Sequence, residues 1–292
     1  MASAGCPSAA ALATPASSRT IPSTIEYSEC IRRWTKRGEL MSSIHLVPRV
    51  GLEPTRLAAP DFESGASTSS TTPASGKTFS IPAMELLRIS LKRDQTHVFQ
   101  SLSLTLPERR IGLIGPNGSG KSSLLKLIKG ILTPDAGKLR VPNQVGFVFQ
   151  NPDHQLLFPT VMEELCFGLI EQSVSKLEAE QKAGILLAQH QLLGLKDKAT
   201  HELSDGQKQL LCILSVLLDG AELLLLDEPC SSLDRRSTAL IMRVIAGLSI
   251  PVMMATHDLS LLKDFDRIVW LESGAVVNDG AAQTVIAAYE AQ

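Results

Sequence analysis

The stretch Gly115-Pro116-Asn117-Gly118-Ser119-Gly120-Lys121-Ser122 decides the fold, because it fits the phosphate-binding pattern G-x-x-x-x-G-K-[ST]. Residues 110–114 before it predict a buried strand, and residues 122–129 after it predict a helix. Glycines in such a loop let backbone N–H groups approach phosphate oxygens, and the helix N-terminus adds a partial positive charge there. We therefore expect this loop and the adjacent Ser123 to bind a nucleotide, with Lys121 on the β- and γ-phosphates and Ser122 on Mg²⁺.

Three further apolar runs predict strands that end at polar side chains. These are Asp227 and Glu228 after residues 223–226, Gln150 after residues 145–149, and His257 after residues 252–256. The carboxyl ends of parallel strands form the edge of a sheet where ligands bind. Such strands alternate with longer amphipathic stretches from Met84 onward, which predicts an α/β fold with a parallel core sheet.

The composition excludes several classes of protein. The chain has 292 residues and a formal net charge of -2, which gives no reason to expect a nucleic-acid partner. Its five cysteines are scattered without a C-x-x-C pair, which favours free thiols over a disulfide or zinc framework. The longest apolar run, Leu210–Leu218, is about half of the ~20 residues that a membrane-spanning helix needs. We interpret it as a buried helix.

Residues 1–83 differ from the rest of the chain and predict a disordered or spurious N-terminal extension. The first 80 are rich in Ala, Ser, Thr and Pro and lack strong periodicity, so that they could not bury enough apolar surface to offset chain entropy. One interpretation is an organelle transit peptide, because the first 25 residues contain no Asp or Glu. Another is a disordered tail of a domain that spans residues 84–292.

A third interpretation is that the extension is not translated. Residues 66–73 can be encoded by a string whose reverse complement looks like the 5′ end of a bacterial leucine tRNA gene. Residues 51–54 can be encoded by one whose complement looks like a T-arm, and the order is right for an antisense reading. This hypothesis predicts a start at or near Met84 and a prokaryotic source. The DNA of the gene tests it, because a coding strand without a tRNA gene opposite would exclude it.

Five motifs in order resemble the ATP-binding cassette family. They are the phosphate loop, Phe149-Gln150, Leu203-Ser204-Asp205-Gly206-Gln207, residues 223–229 with Asp227-Glu228-Pro229, and Thr256-His257-Asp258. The resemblance implies a P-loop NTPase cassette with a parallel core sheet, an antiparallel β-subdomain and a helical subdomain. It further implies an ATPase subunit of a membrane transporter, with ATP and Mg²⁺ as cofactors.

The resemblance assigns a role to each residue at the strand ends. Asp227 is implied to hold Mg²⁺ through water, and Gln150 to contact both Mg²⁺ and the attacking water. Glu228 is the expected base that polarises this water. His257 matches the histidine that contacts the γ-phosphate.

The segment 203–207 resembles the family signature, usually L-S-G-G-Q, and opens a predicted helix that Ser204 can cap. Ser204, Gly206 and Gln207 are implied to meet the γ-phosphate held by a second cassette in a head-to-tail dimer. That second cassette is either another copy of this chain or a paralogue. Residues 231–234 match the loop that communicates across the dimer interface.

Three departures from the family pattern bear on activity. Asp205 replaces the usual Gly and would bring a carboxylate near the partner's triphosphate. Leu210 stands where the family usually has Arg, and both changes put the rate of hydrolysis in doubt. Residues 91–93 contain no aromatic side chain to stack on adenine, although the guanidinium of Arg93 could stack instead.

The segment 149–161 resembles the energy-coupling-factor branch of the family, which imports vitamins and transition metals. Residues 108–115 and 206–212 look most like the biotin-transporter ATPase, which favours biotin over cobalt or nickel. The implied partners are integral membrane subunits, and the implied location is the cytoplasmic face of a prokaryotic cell membrane. Residues 156–158 are either part of the dock for a membrane subunit or ordinary core. The alternative functions are a soluble cassette ATPase acting on ribosomes or DNA, and a P-loop kinase or GTPase, although no N-K-x-D motif is present.

Overall fold

A mostly parallel sheet forms the centre of the structure, a computed structural model that describes residues 84–93 and 96–292. The expectations for residues 1–83 lie outside the described residues. The sheet has the order β5–β6–β7–β3–β8–β9, and all neighbours are parallel except β8 and β9. Its strands are β3 (Arg110–Ile114), β5 (Val145–Val148), β6 (Leu223–Asp227), β7 (Val252–Ala255), β8 (Arg267–Glu272) and β9 (Ala275–Gly280). Strand β6 is buried along its whole length, as expected of an unbroken apolar run with both faces covered.

A second, antiparallel sheet has the order β2–β1–β4. It consists of β1 (Met84–Arg93), β2 (Thr96–Leu106) and β4 (Ala136–Arg140). Buried and exposed residues alternate along much of β2, which is typical of a sheet with one face on the core and one in solvent. This sheet confirms the predicted antiparallel β-subdomain.

Six α-helices complete the described part of the chain. They are α1 (Lys121–Lys129), α2 (Val161–Glu171), α3 (Lys176–Gln189), α4 (Asp205–Leu218), α5 (Arg235–Gly247) and α6 (Ala282–Glu290). Helices α2, α3 and α4 contact one another and form the predicted helical subdomain. Within residues 84–93 and 96–292, no helix combines the length and the apolar character needed to cross a bilayer.

Two apolar clusters lie on opposite faces of the core sheet. One joins the antiparallel sheet and α1 to one face of the core strands, with Phe99 and Leu125 almost fully buried. The other packs helices α2 to α6 against the opposite face, with Leu165 and Ile213 fully buried. The core strands are thus covered on both sides, which is the α/β arrangement predicted from the sequence.

The order of the strands brings the predicted site residues to one edge. Strands β5, β6, β7 and β3 are consecutive neighbours, and the motif residues follow their carboxyl ends. Strand β5 ends at Val148, one residue earlier than expected, because both backbone groups of Phe149 bond to glutamine side chains. The residues that follow these four strands therefore lie along one edge of the sheet.

Candidate active site

The phosphate loop has a backbone that only glycine accommodates at its first position. Gly115 has φ 137°, and a Cβ there would collide with the carbonyl oxygen of Leu271. Gly120 has φ 106° at the N-cap of α1, so that the helix begins immediately after it at Lys121. Pro116, Asn117 and Gly118 are exposed, whereas Ser119 and Lys121 are buried. The loop therefore presents backbone groups rather than large side chains.

Lys121 reaches back across the loop. Its Nζ donates hydrogen bonds to the carbonyl oxygens of Gly115 at 2.7 Å and Pro116 at 3.1 Å. Burial lowers the pKa of this ammonium, while the nearby carboxylates of Glu228 and Asp227 raise it. An ammonium in this position is well placed to exchange neutral carbonyl partners for anionic phosphate oxygens, which accept stronger, charge-assisted hydrogen bonds.

The buried hydroxyl of Ser119 indicates that the loop fits a phosphate. Its side chain is 2 % exposed, and its Oγ has no hydrogen-bond partner among the residues that the structure describes. A buried hydroxyl without a partner costs about 1–3 kcal/mol. A phosphate oxygen in the loop would satisfy it, so the donors present fit a nucleotide.

Ser122 and Asp227 form the part of the site that suits a cation. Ser122 Oγ donates a hydrogen bond to Asp227 Oδ1 at 2.9 Å, which joins the start of α1 to the end of β6. A hydroxyl and a carboxylate are the oxygen ligands that Mg²⁺ prefers. Gln150 lies at the same edge but is exposed, and its Nε2 donates to Ser231 Oγ at 3.4 Å. The residues present therefore fit Mg²⁺, with Ser122 and Asp227 already paired.

Glu228 and His257 are in direct contact. His257 Nε2 lies 2.8 Å from Glu228 Oε1, and the glutamate side chain is only 18 % exposed. The Glu228 backbone has φ 49°, a left-handed conformation that is uncommon for a residue with a side chain. Its N–H donates to the Ala255 carbonyl at 2.9 Å, which fixes it against the end of β7. The two side chains predicted to act on water and on the γ-phosphate thus lie next to each other.

The signature segment begins helix α4 with a reciprocal cap. Ser204 Oγ accepts from the Gln207 N–H at 3.4 Å, and Gln207 Oε1 accepts from the Ser204 N–H at 3.0 Å. This is the predicted cap by Ser204, extended by the capping-box partner Gln207. Gly206 packs so closely on Ser237 in the first turn of α5 that a Cβ would collide with it.

The two departures in this segment have different surroundings. Asp205 is exposed at the first position of α4, where the helix dipole favours a carboxylate. Leu210 is 1 % exposed and belongs to the apolar cluster of the helices. Leu210 therefore serves as core, and only Asp205 lies where it could affect a bound anion.

The signature segment opens α4, whereas the phosphate loop leads into α1. Across the described ranges, no hydrogen bond or ion pair joins residues 203–207 to residues 115–123.

The segment that follows Glu228 ends at Asp234, which caps α5 by accepting from the N–H groups of Arg236 and Ser237. Arg93 is exposed at the end of β1. Its stacking on adenine stays a prediction.

The structure adds two residues that the sequence did not single out. Gln155 and Gln209 bond to the N–H and the C=O of Phe149, directly before Gln150. Gln209 has no local pattern that marks it, because its bond to Phe149 depends on how α4 packs against the segment after β5. Gln155 bonds to Phe149 within the same segment.

Comparison with known proteins agrees with this geometry. A family described as "ABC transporter" matches residues 99–231. The biotin transport ATP-binding protein BioM of Rhodobacter capsulatus is 42% identical over 71% of this chain and 94% of its own length. The energy-coupling factor transporter ATP-binding protein EcfA of Methanothermobacter thermautotrophicus is 35% identical over 59% of this chain and 61% of its own. CbiO1 of Clostridium perfringens, part of the ABC transporter complex CbiONQ, superposes with a TM-score of 0.64 at 28% identity, covering 71% of this chain and 92% of that one.

Proposed function

Because the chain belongs to the ABC transporter family of ATPases, we propose that its ATP hydrolysis energises the import of biotin through a membrane transporter of the energy-coupling-factor type. The observation that carries the catalytic part is the convergence of four separate segments at one edge of the sheet. There the Ser122–Asp227 pair and the Glu228–His257 pair lie beside the phosphate loop. An ATPase needs these groups together: one set to hold the nucleotide and one to act on water.

Each group has a defined task in this proposal. The phosphate loop and Lys121 bind the β- and γ-phosphates, and Ser122, Asp227 and Gln150 hold Mg²⁺. When bound, Mg²⁺ neutralises the charge that develops on the phosphate oxygens. Glu228 accepts a proton from the attacking water, and its contact with His257 orients the carboxylate.

A second cassette completes each site. The capped N-terminus of α4 has a partial positive charge, and among the described residues it makes no hydrogen bond to the phosphate loop of its own chain. Ser204, Gly206 and Gln207 therefore bind the γ-phosphate held by a second copy of this chain or a paralogue. The CbiO1 relative belongs to a complex with other subunits, which supports an assembly of this kind.

The membrane partner docks on the helical subdomain. Leu156 packs into the core, whereas Leu157 is 50 % exposed beside Phe158, whose ring lies 4.8 Å from that of Phe167. Leu157 is thus the exposed residue of the segment 156–158. We place the subunit at the cytoplasmic face of a prokaryotic membrane, without a nucleic-acid partner, because its relatives BioM and EcfA are transport subunits.

Hydrolysis is tested by measuring Mg²⁺-dependent ATP turnover of the full chain against protein concentration. Turnover that rises faster than linearly is expected, because two cassettes share each nucleotide. Glu228→Gln should lower turnover by ~10²–10⁴-fold, as is typical when a positioned base is lost, while ATP binding is retained. Equal turnover in this variant would contradict the role of Glu228.

The cargo needs a separate test. The tagged chain is purified from native membranes together with its membrane subunits, and the complex is placed in lipid vesicles with ATP on the side of the cassette. Labelled biotin, cobalt and nickel are then supplied in turn. ATP-dependent uptake of biotin alone supports the proposal. Uptake of cobalt or nickel instead would identify that ion as the cargo. Co-purification with ribosomes would favour the soluble alternative.

A further inference from the structure

The backbone of Phe149 is held on both sides by glutamine side chains. Its N–H donates to Gln155 Oε1 at 3.2 Å, and its C=O accepts from Gln209 Nε2 at 3.1 Å. Phe149 comes after the last residue of β5, so these bonds replace the strand pairing that would otherwise continue. The direction in which the chain leaves the sheet, and hence the position of Gln150, is therefore set by two side chains.

Gln209 is unusual because it is polar, buried and only half satisfied. It is 1 % exposed, and its Oε1 has no hydrogen-bond partner in the part of the chain that the structure describes. Burying an amide oxygen without a partner is unfavourable. Packing alone would favour leucine or methionine here, so the bond from Nε2 to Phe149 is what this residue contributes.

The same helix is tied to the same segment at further points. Lys208 Nζ lies 2.7 Å from Asp153 Oδ1, and Gln155 Nε2 donates to the Cys212 carbonyl at 3.5 Å. Residues 208, 209 and 212 occupy the first two turns of α4, and their partners all lie between residues 149 and 155. These contacts fasten the segment 149–155 to the helix that begins with the signature motif.

We propose that Gln209 is a positioning residue that couples the signature motif to Gln150. An α-helix moves as a rigid unit over one or two turns, because its backbone groups bond to one another. A displacement of Ser204–Gln207 on meeting the nucleotide of a second cassette therefore displaces Gln209, and through Phe149 it moves Gln150. The bond from Gln209 makes hydrolysis in one site depend on engagement of the signature motif in the other. This inference rests on the proposed function above.

The test uses Gln209→Leu in the full chain, which keeps the volume of the side chain and removes the donor to Phe149. We expect kcat for ATP hydrolysis to fall about three- to tenfold, the effect of one hydrogen bond, while KM for ATP is unchanged because the phosphate loop is not touched. Ile213→Val is the matched control: it lies on the same helix, is fully buried, and makes no side-chain hydrogen bond. Its kcat should equal that of the wild type.

A double-mutant cycle separates positioning from general loss of structure. If Gln209 acts through Gln150, the Gln209→Leu change has no further effect on kcat in a Gln150→Ala background. An unchanged kcat in Gln209→Leu, or an equal loss in both backgrounds, would overturn the inference. If Gln209→Leu does not fold, Gln209→Met, which also removes the donor to the Phe149 carbonyl, is read by the same criteria. A wild-type chain without ATPase activity would instead refute the proposed function, and with it the coupling.

Discussion

Asp219, the residue that follows α4, makes stability depend on pH in a direction opposite to that of most carboxylates. Burial, and after it the negative charge of Glu164, raise its pKa from 3.8 to about 6, against the opposing effect of Lys129. Its Oδ1 lies directly against the backbone of Gly168 and has no hydrogen-bond partner among the described residues. A carboxylate at a helix C-terminus is also disfavoured by the helix dipole.

The sign of the effect follows from proton linkage. The folded state binds this proton more tightly than the unfolded state does. The contribution of Asp219 to the free energy of unfolding is therefore most favourable below pH ~3.8 and is lost as the pH rises to about 6. The difference between the two pKa values corresponds to about 3 kcal/mol. Since the carboxylate is not fully removed from solvent, screening reduces the expected cost to about 1–2 kcal/mol.

Asp219→Asn removes the charge and keeps the shape of the side chain. We expect the free energy of unfolding to rise by about 1–2 kcal/mol at about pH 7.5, and the gain to fall to about half at about pH 5. Urea-induced unfolding at both pH values measures this, with Asp264→Asn, at an exposed carboxylate, as the control. A gain that is absent at the higher pH, or larger at the lower pH, would refute the reasoning.

Two further predictions concern nucleotide binding and the core. Lys121→Met should weaken ATP binding about 10–100-fold, because it removes a charged donor to the phosphates. Titration with a fluorescent ATP analogue measures the dissociation constant, and a value within twofold of the wild type would contradict this prediction. Leu210→Arg, which restores the usual family residue, should lower the free energy of unfolding by more than about 3 kcal/mol, because it places an unpaired charge in an apolar cluster. An unfolding midpoint in urea equal to that of the wild type, or a gain in ATP turnover, would show that Leu210 faces the site after all.

Local patterns explain why much of the site could be predicted from the sequence. The phosphate loop is contiguous, and its glycine positions directly reflect backbone conformation. The cap at Ser204 follows from the spacing of three residues to Gln207, since this distance spans the first turn of a helix. The strands before Asp227 and His257 are short apolar runs, and parallel pairing brings their ends together.

The roles of Leu210 and Gln209 depend on packing between distant segments, and only that of Leu210 has a signal in the sequence. Leu210 was expected to affect hydrolysis because of its place in the motif, whereas in the structure its side chain faces the core. The apolar spacing of residues 210, 213, 214 and 217 indicates that face, so a signal for it was present. Gln209 is different: its partner Phe149 is 60 residues away, and no spacing relates the two.

The left-handed backbone of Glu228 has a consequence for how this protein can change. Such a conformation costs about 1–2 kcal/mol for a residue with a Cβ, and glycine adopts it freely. Glycine at position 228 would relieve this strain, but it would also remove the carboxylate beside His257. Laboratory evolution for heat resistance alone would favour replacement of Glu228 by glycine, whereas selection for transport would retain the strained glutamate. Position 228 is thus a point where thermal robustness and turnover are in direct conflict.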